Sequence, residues 1–371
     1  MKNKIIPVFI PHEGCPHDCS FCNQKKISGA VKTPSLKEIQ NIIDDYIKSN
    51  RNDEIAYTLA YYGGSFTAIE IELQNALLKL AGQNIDEGKI NDIRISTRPD
   101  YLEKDDVKRL SAFGNIHVEI GIQSTDNEVL NLSNRNYDLN IIKRAVKNLN
   151  EENMSYGFQI MVGMMSDNEQ KLYKTTTELL KLKPKTMRIY PCIVIKETLL
   201  EKQYEMGTFM PLSLNEAIEA VKIPYTIFTN HNVPIIRIGL HASKSLTEGG
   251  EIVAGPYHPS FGEILISSIY LDMLRKSCDV HDLKSGELII HCPVKLRSKI
   301  VGNRSFVIKT LSEEMDLKIR FVHADDLEGR LTLEFEGKSY LLDLRTFLLE
   351  KEKYYNWKFN VGSEGFAPEE N

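Results

Sequence analysis

Apolar runs and amphipathic stretches alternate along the N-terminal part of the chain. The runs "IIPVFI" (5–10), "EIAYTLAYYGG" (54–64), "DIRIST" (92–97), "IHVEIGIQS" (116–124), "SYGFQIMVG" (155–163) and "TMRIYPCIVI" (186–195) read as strands. Their nearly continuous apolar character suits parallel strands covered on both faces. Between them, "PSLKEIQNIIDDYIKS" (34–49), "AIEIELQNALLKLAG" (68–82), "KDDVKRLSAF" (104–113), "NIIKRAVKNLN" (140–150) and "NEQKLYKTTTELLKLK" (168–183) place apolar residues three to four apart. That spacing predicts helices with one buried face. Six strand–helix units in series predict an α/β fold, a parallel sheet with helices outside, closed or partly closed as a barrel. Chemistry then belongs at the C-terminal strand ends. The polar segments "YYGGSFT", "STRPD", "GIQS" and "QIMVG" fall there.

The alternation fades after about residue 200. A helix (215–231), a strand (233–240), a Gly/Pro-rich loop (249–263) and a helix (264–277) follow, and from about 285 the pattern becomes α+β. The expected division is a barrel over 1–280 and a small α+β domain over 281–371. No apolar run is long enough to span a membrane. Pro7 and Pro11 bracket the first apolar run without a small-residue cleavage site after it, so no signal peptide is expected there. A cytoplasmic protein with reduced thiols is the expectation. The net charge of −5 does not by itself advertise nucleic-acid binding.

Six cysteines divide into a cluster (Cys15, Cys19, Cys22) and three scattered residues (Cys192, Cys278, Cys292). The cluster argues for a metal site rather than a disulfide framework, and the scattered three read as buried small hydrophobes. The spacing C-x3-C-x2-C admits two occupants. Zinc requires four ligands, and His12 or His17 can supply the fourth. A [4Fe–4S] cluster on three cysteines keeps one iron open for a substrate or cosubstrate.

The spacing, with Phe21 before the last cysteine and a strand just upstream, resembles the radical S-adenosylmethionine (SAM) superfamily. The resemblance runs through about residue 275 and is similar in detail to the branch holding the elongator catalytic subunit and the oxygen-independent coproporphyrinogen oxidases. It implies a partial (β/α)6 TIM-like barrel. It also implies that Cys15, Cys19 and Cys22 hold a [4Fe–4S] cluster whose open iron binds SAM. A ferredoxin or flavodoxin would supply the electron. On the same resemblance Gly63 and Gly64, followed by Ser65, form the glycine motif that approaches the SAM amino group, and Phe21 packs near the adenine. Gln123 and Arg135 bind SAM, Arg135 through its carboxylate, and Gln159 stands where the oxidases hold the ribose. Ser96 occupies the place of a usual third-strand Glu, for which Glu119 is expected to compensate. Arg188, Tyr190, Lys196, Tyr257 and His258 are candidates for the substrate side, while His117 reads as a satisfied core residue.

The C-terminal segment reads strand, helix, "VGNRS" loop, helix, strand, an order that resembles a KH domain. Its loop would be Gly302-Asn303-Arg304-Ser305, lacking the second glycine. Lys284, Lys295, Arg297, Lys299, Arg304 and Lys309 stand against Glu287 alone, and Lys299 and Arg304 are the candidate phosphate contacts. The combined expectation is a radical SAM enzyme acting on an RNA, most simply a tRNA base. Radical chemistry on a small molecule such as a tetrapyrrole, and a non-catalytic zinc-stabilised RNA-binding protein, are the alternatives.

Overall fold

Strands form where consecutive side chains are buried on both faces. In the second strand five successive residues, Tyr57 to Tyr61, are buried. The computed structural model describes residues 2–10, 19–23, 32–49, 55–240, 250–324 and 330–360. Seven strands lie in one parallel sheet: β1 (Lys2–Ile10), β2 (Ile55–Gly63), β3 (Asp92–Thr97), β4 (Ile116–Gln123), β5 (Ser155–Val162), β6 (Thr186–Pro191) and, after the short β7 (Val194–Ile195), β8 (Ile235–Ile238). Their spatial order follows their chain order. Helices α1 (Leu36–Ser49), α2 (Ile71–Asp86), α3 (Lys104–Ser111), α4 (Asn127–Leu132), α5 (Leu139–Glu151), α6 (Glu169–Lys181) and α7 (Leu199–Glu205) make the crossovers or follow the strands. The α/β half-barrel expected from the pattern is present, widened by β8.

Partners in register stand side by side on one face. Arg94 pairs with His117, Ser96 with Glu119, Glu119 with Gly157, Gly121 and Arg188 with Gln159, and Arg188 with Arg237. One face of the sheet is therefore polar across five strands. At the end of β4 the register slips between Gly121 and Gln123, and Gln123 takes φ 70°. The segment expected as a plain loop over 249–263 instead holds β9 (Ile252–Ala254), paired antiparallel with β7, and the first turn of a helix.

The contacts divide the chain into two compact units, residues 1–213 with 233–259, and 214–232 with 260–371. Helices α8 (Leu214–Asn230) and α9 (Phe261–His281) thus pack with the C-terminal residues, rather than ending a barrel near 280. Lys222, almost fully buried, joins α8 to α9, its Nζ 2.7 Å from both Glu219 and Asp272, and the helices reach the C-terminal residues through Asn230 Nδ2, which donates to Leu348 O at 2.9 Å, and through the Arg275–Glu314 pair. In the same unit β10 (Gly286–Cys292), α10 (Val294–Val301), α11 (Phe306–Met315) and β11 (Leu317–His323) form a strand–helix–helix–strand motif with parallel strands. Strands β12 (Leu331–Phe335) and β13 (Lys338–Leu342) extend the sheet antiparallel, and α12 (Leu344–Asn360) follows.

Close strand approach makes one glycine testable. A Cβ on Gly157 would lie 2.1 Å from Thr186 Oγ1 and 2.7 Å from the Thr186 carbonyl oxygen. Gly157→Ala should cost about 1–3 kcal/mol by overpacking, read as a lower midpoint in urea unfolding with an unchanged slope.

Candidate functional site

The site is assembled at the C-terminal ends of the parallel strands. Gly63 ends β2 at φ 125°, and a Cβ there would sit 2.4 Å from the Ile10 carbonyl oxygen at the end of β1. Only glycine permits that approach. Gly64 N donates to the same oxygen at 3.2 Å. Ser65 is buried, and a hollow opens between Ile10, Tyr62, Gly64, Ser65 and Phe66.

Of the clustered cysteines, Cys15 lies outside the described residues, as do His12 and His17. Cys19 is buried and Cys22 half-buried, joined by a Cys22 N to Cys19 O hydrogen bond of 3.0 Å. Their segment is fixed on several sides. Ser20 N donates to Ser133 O, Leu200 N donates to Ser20 O, and Asn23 Nδ2 donates to Lys196 O. Phe21 packs on an apolar cluster of Val129, Met164, Cys192, Val194, Leu200 and Phe209. That contact gives Phe21 a place in the core.

Two arginines converge on Cys19. Arg135 Nη1 donates to Cys19 Sγ at 3.3 Å, its Nε to Tyr137 Oη at 2.8 Å, and its Nη2 to the Gly121 carbonyl. Tyr137 in turn donates to Ile122 O at 2.7 Å. Arg98 Nη1 lies 3.5 Å from the same sulfur, while its Nε and Nη2 grip both oxygens of Asp100 at 2.9 and 2.7 Å. Both guanidinium groups stand over the Tyr137 ring, at 5.3 and 5.1 Å. Burial opposes the Arg135 charge, but Tyr137 and Cys19 beside it hold its pKa above the usual guanidinium value. No carboxylate among the described residues pairs with Arg135. Close by, Gln123 is buried and its Oε1 has no hydrogen-bond partner among the described residues. Arg98, Asp100 and Tyr137 carry no metal or catalytic spacing, and the sequence reading passes over them. The one signal was the place of "STRPD" at a strand end.

Glu119, expected to compensate for Ser96, stands beside it in register. It is buried and its carboxylate is held by Arg94 Nη1 at 2.5 Å and by Arg188 Nη2 at 2.8 Å. Arg188 also donates to Tyr62 Oη at 2.7 Å and Tyr190 Oη at 3.2 Å. Burial, with Arg94 and Arg188 nearby, pushes the His117 pKa down to about 3, so this imidazole is neutral at neutral pH. It bonds Ser155 and Thr186 at 2.8 and 3.0 Å, as a satisfied core residue does. Arg188 and Tyr190 therefore meet on the polar face, half-buried Gln159 beside Arg188 in register. Lys196 is exposed at the end of β7, its N–H bonded to Glu251 O. Tyr257 and His258 follow β9, both half-buried, and the Tyr257 hydroxyl is a buried atom without a partner among the described residues. In the other unit Lys299, Asn303 and Arg304 are exposed, Gly302 has φ 75°, and Arg304 and Ser305 take φ 51° and 62°. Neither Lys299 nor Arg304 has an acidic partner among the described residues. Cys192, Cys278 and Cys292 are buried.

These residues fit a [4Fe–4S] cluster and SAM. Among the described residues, the Cys19–Cys22 segment is held by backbone bonds, Gly63 removes the Cβ that would fill the approach, Arg135 is a buried cation without a carboxylate partner, and the Gln123 Oε1 is a buried acceptor without a donor.

Comparison with known proteins agrees. Residues 9–179 match the Radical SAM superfamily and residues 184–270 the Radical_SAM C-terminal domain. The tRNA uridine(34) acetyltransferase of Methanocaldococcus infernus is 29% identical over 262 residues, 60% of this chain and 49% of that protein. An uncharacterised protein of Methanocaldococcus jannaschii is 26% identical over 290 residues, 74% of this chain and 86% of its own. Elongator complex protein 3 of Saccharomyces cerevisiae is 27% identical over 195 residues, 46% of this chain and 34% of that protein. The chain spans about half the length of the acetyltransferases it matches. The solved archaeal Elongator protein 3 of Methanocaldococcus infernus, with its N-terminus deleted, shares the fold at a TM-score of 0.58 and 22% identity, covering 74% of this chain and 63% of that one.

The polar face offers a direct test. Glu119→Gln leaves Arg94 and Arg188 without their shared carboxylate, and breaking such a buried pair costs about 3–5 kcal/mol. Chemical unfolding should show that loss, and Glu119→Asp should lose less.

Proposed function

The chain belongs to the radical SAM superfamily, and from that premise we propose that it is an enzyme that modifies a base of tRNA. Its family works with a [4Fe–4S] cluster and SAM. The observation that carries the reading is the buried guanidinium of Arg135, which contacts Cys19 and has no carboxylate partner among the described residues. A buried cation without a carboxylate partner suits an anionic ligand. The SAM carboxylate is that anion.

A cluster held by Cys15, Cys19 and Cys22 would supply the single electron for reductive cleavage of SAM, and so for hydrogen-atom abstraction from the substrate. The chain's own residues prepare this chemistry. Cys15, Cys19 and Cys22 hold the cluster. Gly63 and Gly64 admit the SAM amino group, and Ser65 follows them in the same wall. Arg135 takes the carboxylate, and the free Gln123 oxygen accepts a hydrogen bond. Phe21 and Gln159 serve the adenosine end. Arg188 and Tyr190, fixed by Glu119 and Tyr62, form a rigid polar wall facing the substrate. Tyr257, His258 and Lys196 stand at the β7–β9 ribbon beside the cysteine segment. A ferredoxin or flavodoxin is the fitting electron donor.

tRNA as substrate draws on the relatives named for tRNA uridine modification. The C-terminal unit adds support. Between α10 and α11, Gly302, Asn303 and Arg304 form a tight exposed turn, with Lys299 one turn upstream, in the order by which a KH loop clamps a nucleic-acid backbone.

Four measurements test the reading. Anaerobically purified protein should absorb broadly near ~400 nm and bleach on reduction; colourless protein with one zinc per chain would overturn it. Arg135→Gln should weaken SAM binding about 10- to 100-fold, the worth of one charged hydrogen bond, with iron content unchanged. Lys299→Ala with Arg304→Ala should weaken tRNA binding and lower its log–log salt slope by about 1–2, whereas unaltered binding would remove the C-terminal unit from RNA recognition. Nucleoside mass spectrometry of tRNA, with and without the gene, should reveal the modified base.

A further inference from the structure

We infer that Arg98 is a positioning residue for the cluster. Through its N–H to the Cys19 sulfur, it makes the bound cluster easier to reduce. The inference rests on the reading of Cys19 as an iron ligand. Three features of the contact support it. The Arg98 side chain is 4% exposed, so the N–H has no water to turn to. Its orientation is imposed from elsewhere: Asp100 grips Nε and Nη2, and the Tyr137 ring underlies the guanidinium. That leaves Nη1 on the sulfur at 3.5 Å. The sulfur is placed independently by the backbone bonds of Ser20 and Cys22. The contact is therefore built by the protein and does not depend on the metal.

The two arginines at Cys19 differ in charge balance. Arg135 has no carboxylate among the described residues, so its charge is available to an anion. Arg98 is neutralised by Asp100. Its effect on Cys19 is that of an oriented N–H dipole, a different duty from Arg135's. A thiolate bound to iron still accepts such a bond. One-electron reduction adds negative charge to the cluster and its sulfurs, so an N–H donor stabilises the reduced form more than the oxidised form.

The test is a redox titration of the reconstituted holoenzyme, followed by the EPR signal of the reduced cluster, with dithionite as electron source. Arg98→Leu with Asp100→Asn removes the pair at constant net charge. The expected result is a more negative midpoint, by about tenfold in the reduced-to-oxidised ratio, which is 59 mV for a one-electron couple. Iron and sulfide content should match the parent. Arg98→Lys keeps a donor and should lie between the two. It also serves if the double variant fails to fold. Equal midpoints in parent and variants with full clusters would overturn the role of Arg98. A parent that binds no cluster would instead overturn the reading of Cys19, and iron analysis separates the two failures.

Discussion

The burial of Arg135 behind Cys19 is the constraint on which the site depends. A guanidinium removed from water costs several kcal/mol unless its donors are used. Here Tyr137, the Gly121 carbonyl and the Cys19 sulfur use them. Gly121 is reachable because β4 loses register at its end, and Gln123 takes the left-handed backbone there. One arginine thus ties the end of the fourth strand to the cysteine segment, whose other side is held by α4 and α7 through Ser133 and Leu200. The strand ends set the geometry, and the cysteine segment is fitted to it.

The same sheet carries a second polar centre, kept apart from the first by function of charge. Around Cys19, among the described residues, Asp100 is the carboxylate that pairs with Arg98, and none pairs with Arg135. On the polar face Glu119 is shared by Arg94 and Arg188, and His117 is held neutral by burial and by those same arginines. A protonated His117 would add a third positive group beside one carboxylate. The hydroxyls of Tyr62 and Tyr190 are held by Arg188, whose guanidinium Glu119 fixes in turn. Fixed walls of this kind suit a site for reactive chemistry, because they exclude water and the side reactions it brings.

The parts legible in the sequence are those with short-range grammar. The cysteine spacing, the Gly63–Gly64 pair, Gln123 at the end of β4 and Arg135 twelve residues on are local patterns; Gly63 lies against the end of β1 and Arg135 against Cys19. The roles of Arg98, Asp100 and Tyr137 were not legible, because they arise only when the segment after β3, the loop after α4 and the cysteine segment meet at Cys19. Glu119 was legible as a polar strand residue but not in its role. Register, which no single strand encodes, brings it between Arg94 and Arg188. The packing of α8 and α9 with the C-terminal unit was hidden for a similar reason. Its determinants are contacts distant in sequence, Asn230 with Leu348 and Arg275 with Glu314, which no local pattern shows.

The turn at 302–305 shows how a missing residue can mislead less than it suggests. A KH-like loop wants glycine at both ends because its backbone is left-handed. Here Ser305 stands at the second position and still adopts φ 62°, and Arg304 does the same at 51°. Each such non-glycine residue costs about 1–2 kcal/mol. The helices on either side impose the cost, because Val307 and Leu311 of α11 and Ile300 of α10 are fully buried and cannot slide to relax the turn. Strain sustained by flanking packing is characteristic of a loop whose shape is used. With Arg304 exposed at its apex and no acidic partner among the described residues, the shape is compatible with a phosphate. The conformation required of this loop is thus set by the core of its unit rather than by its own glycines, and the absent second glycine is a weak argument against the nucleic-acid reading.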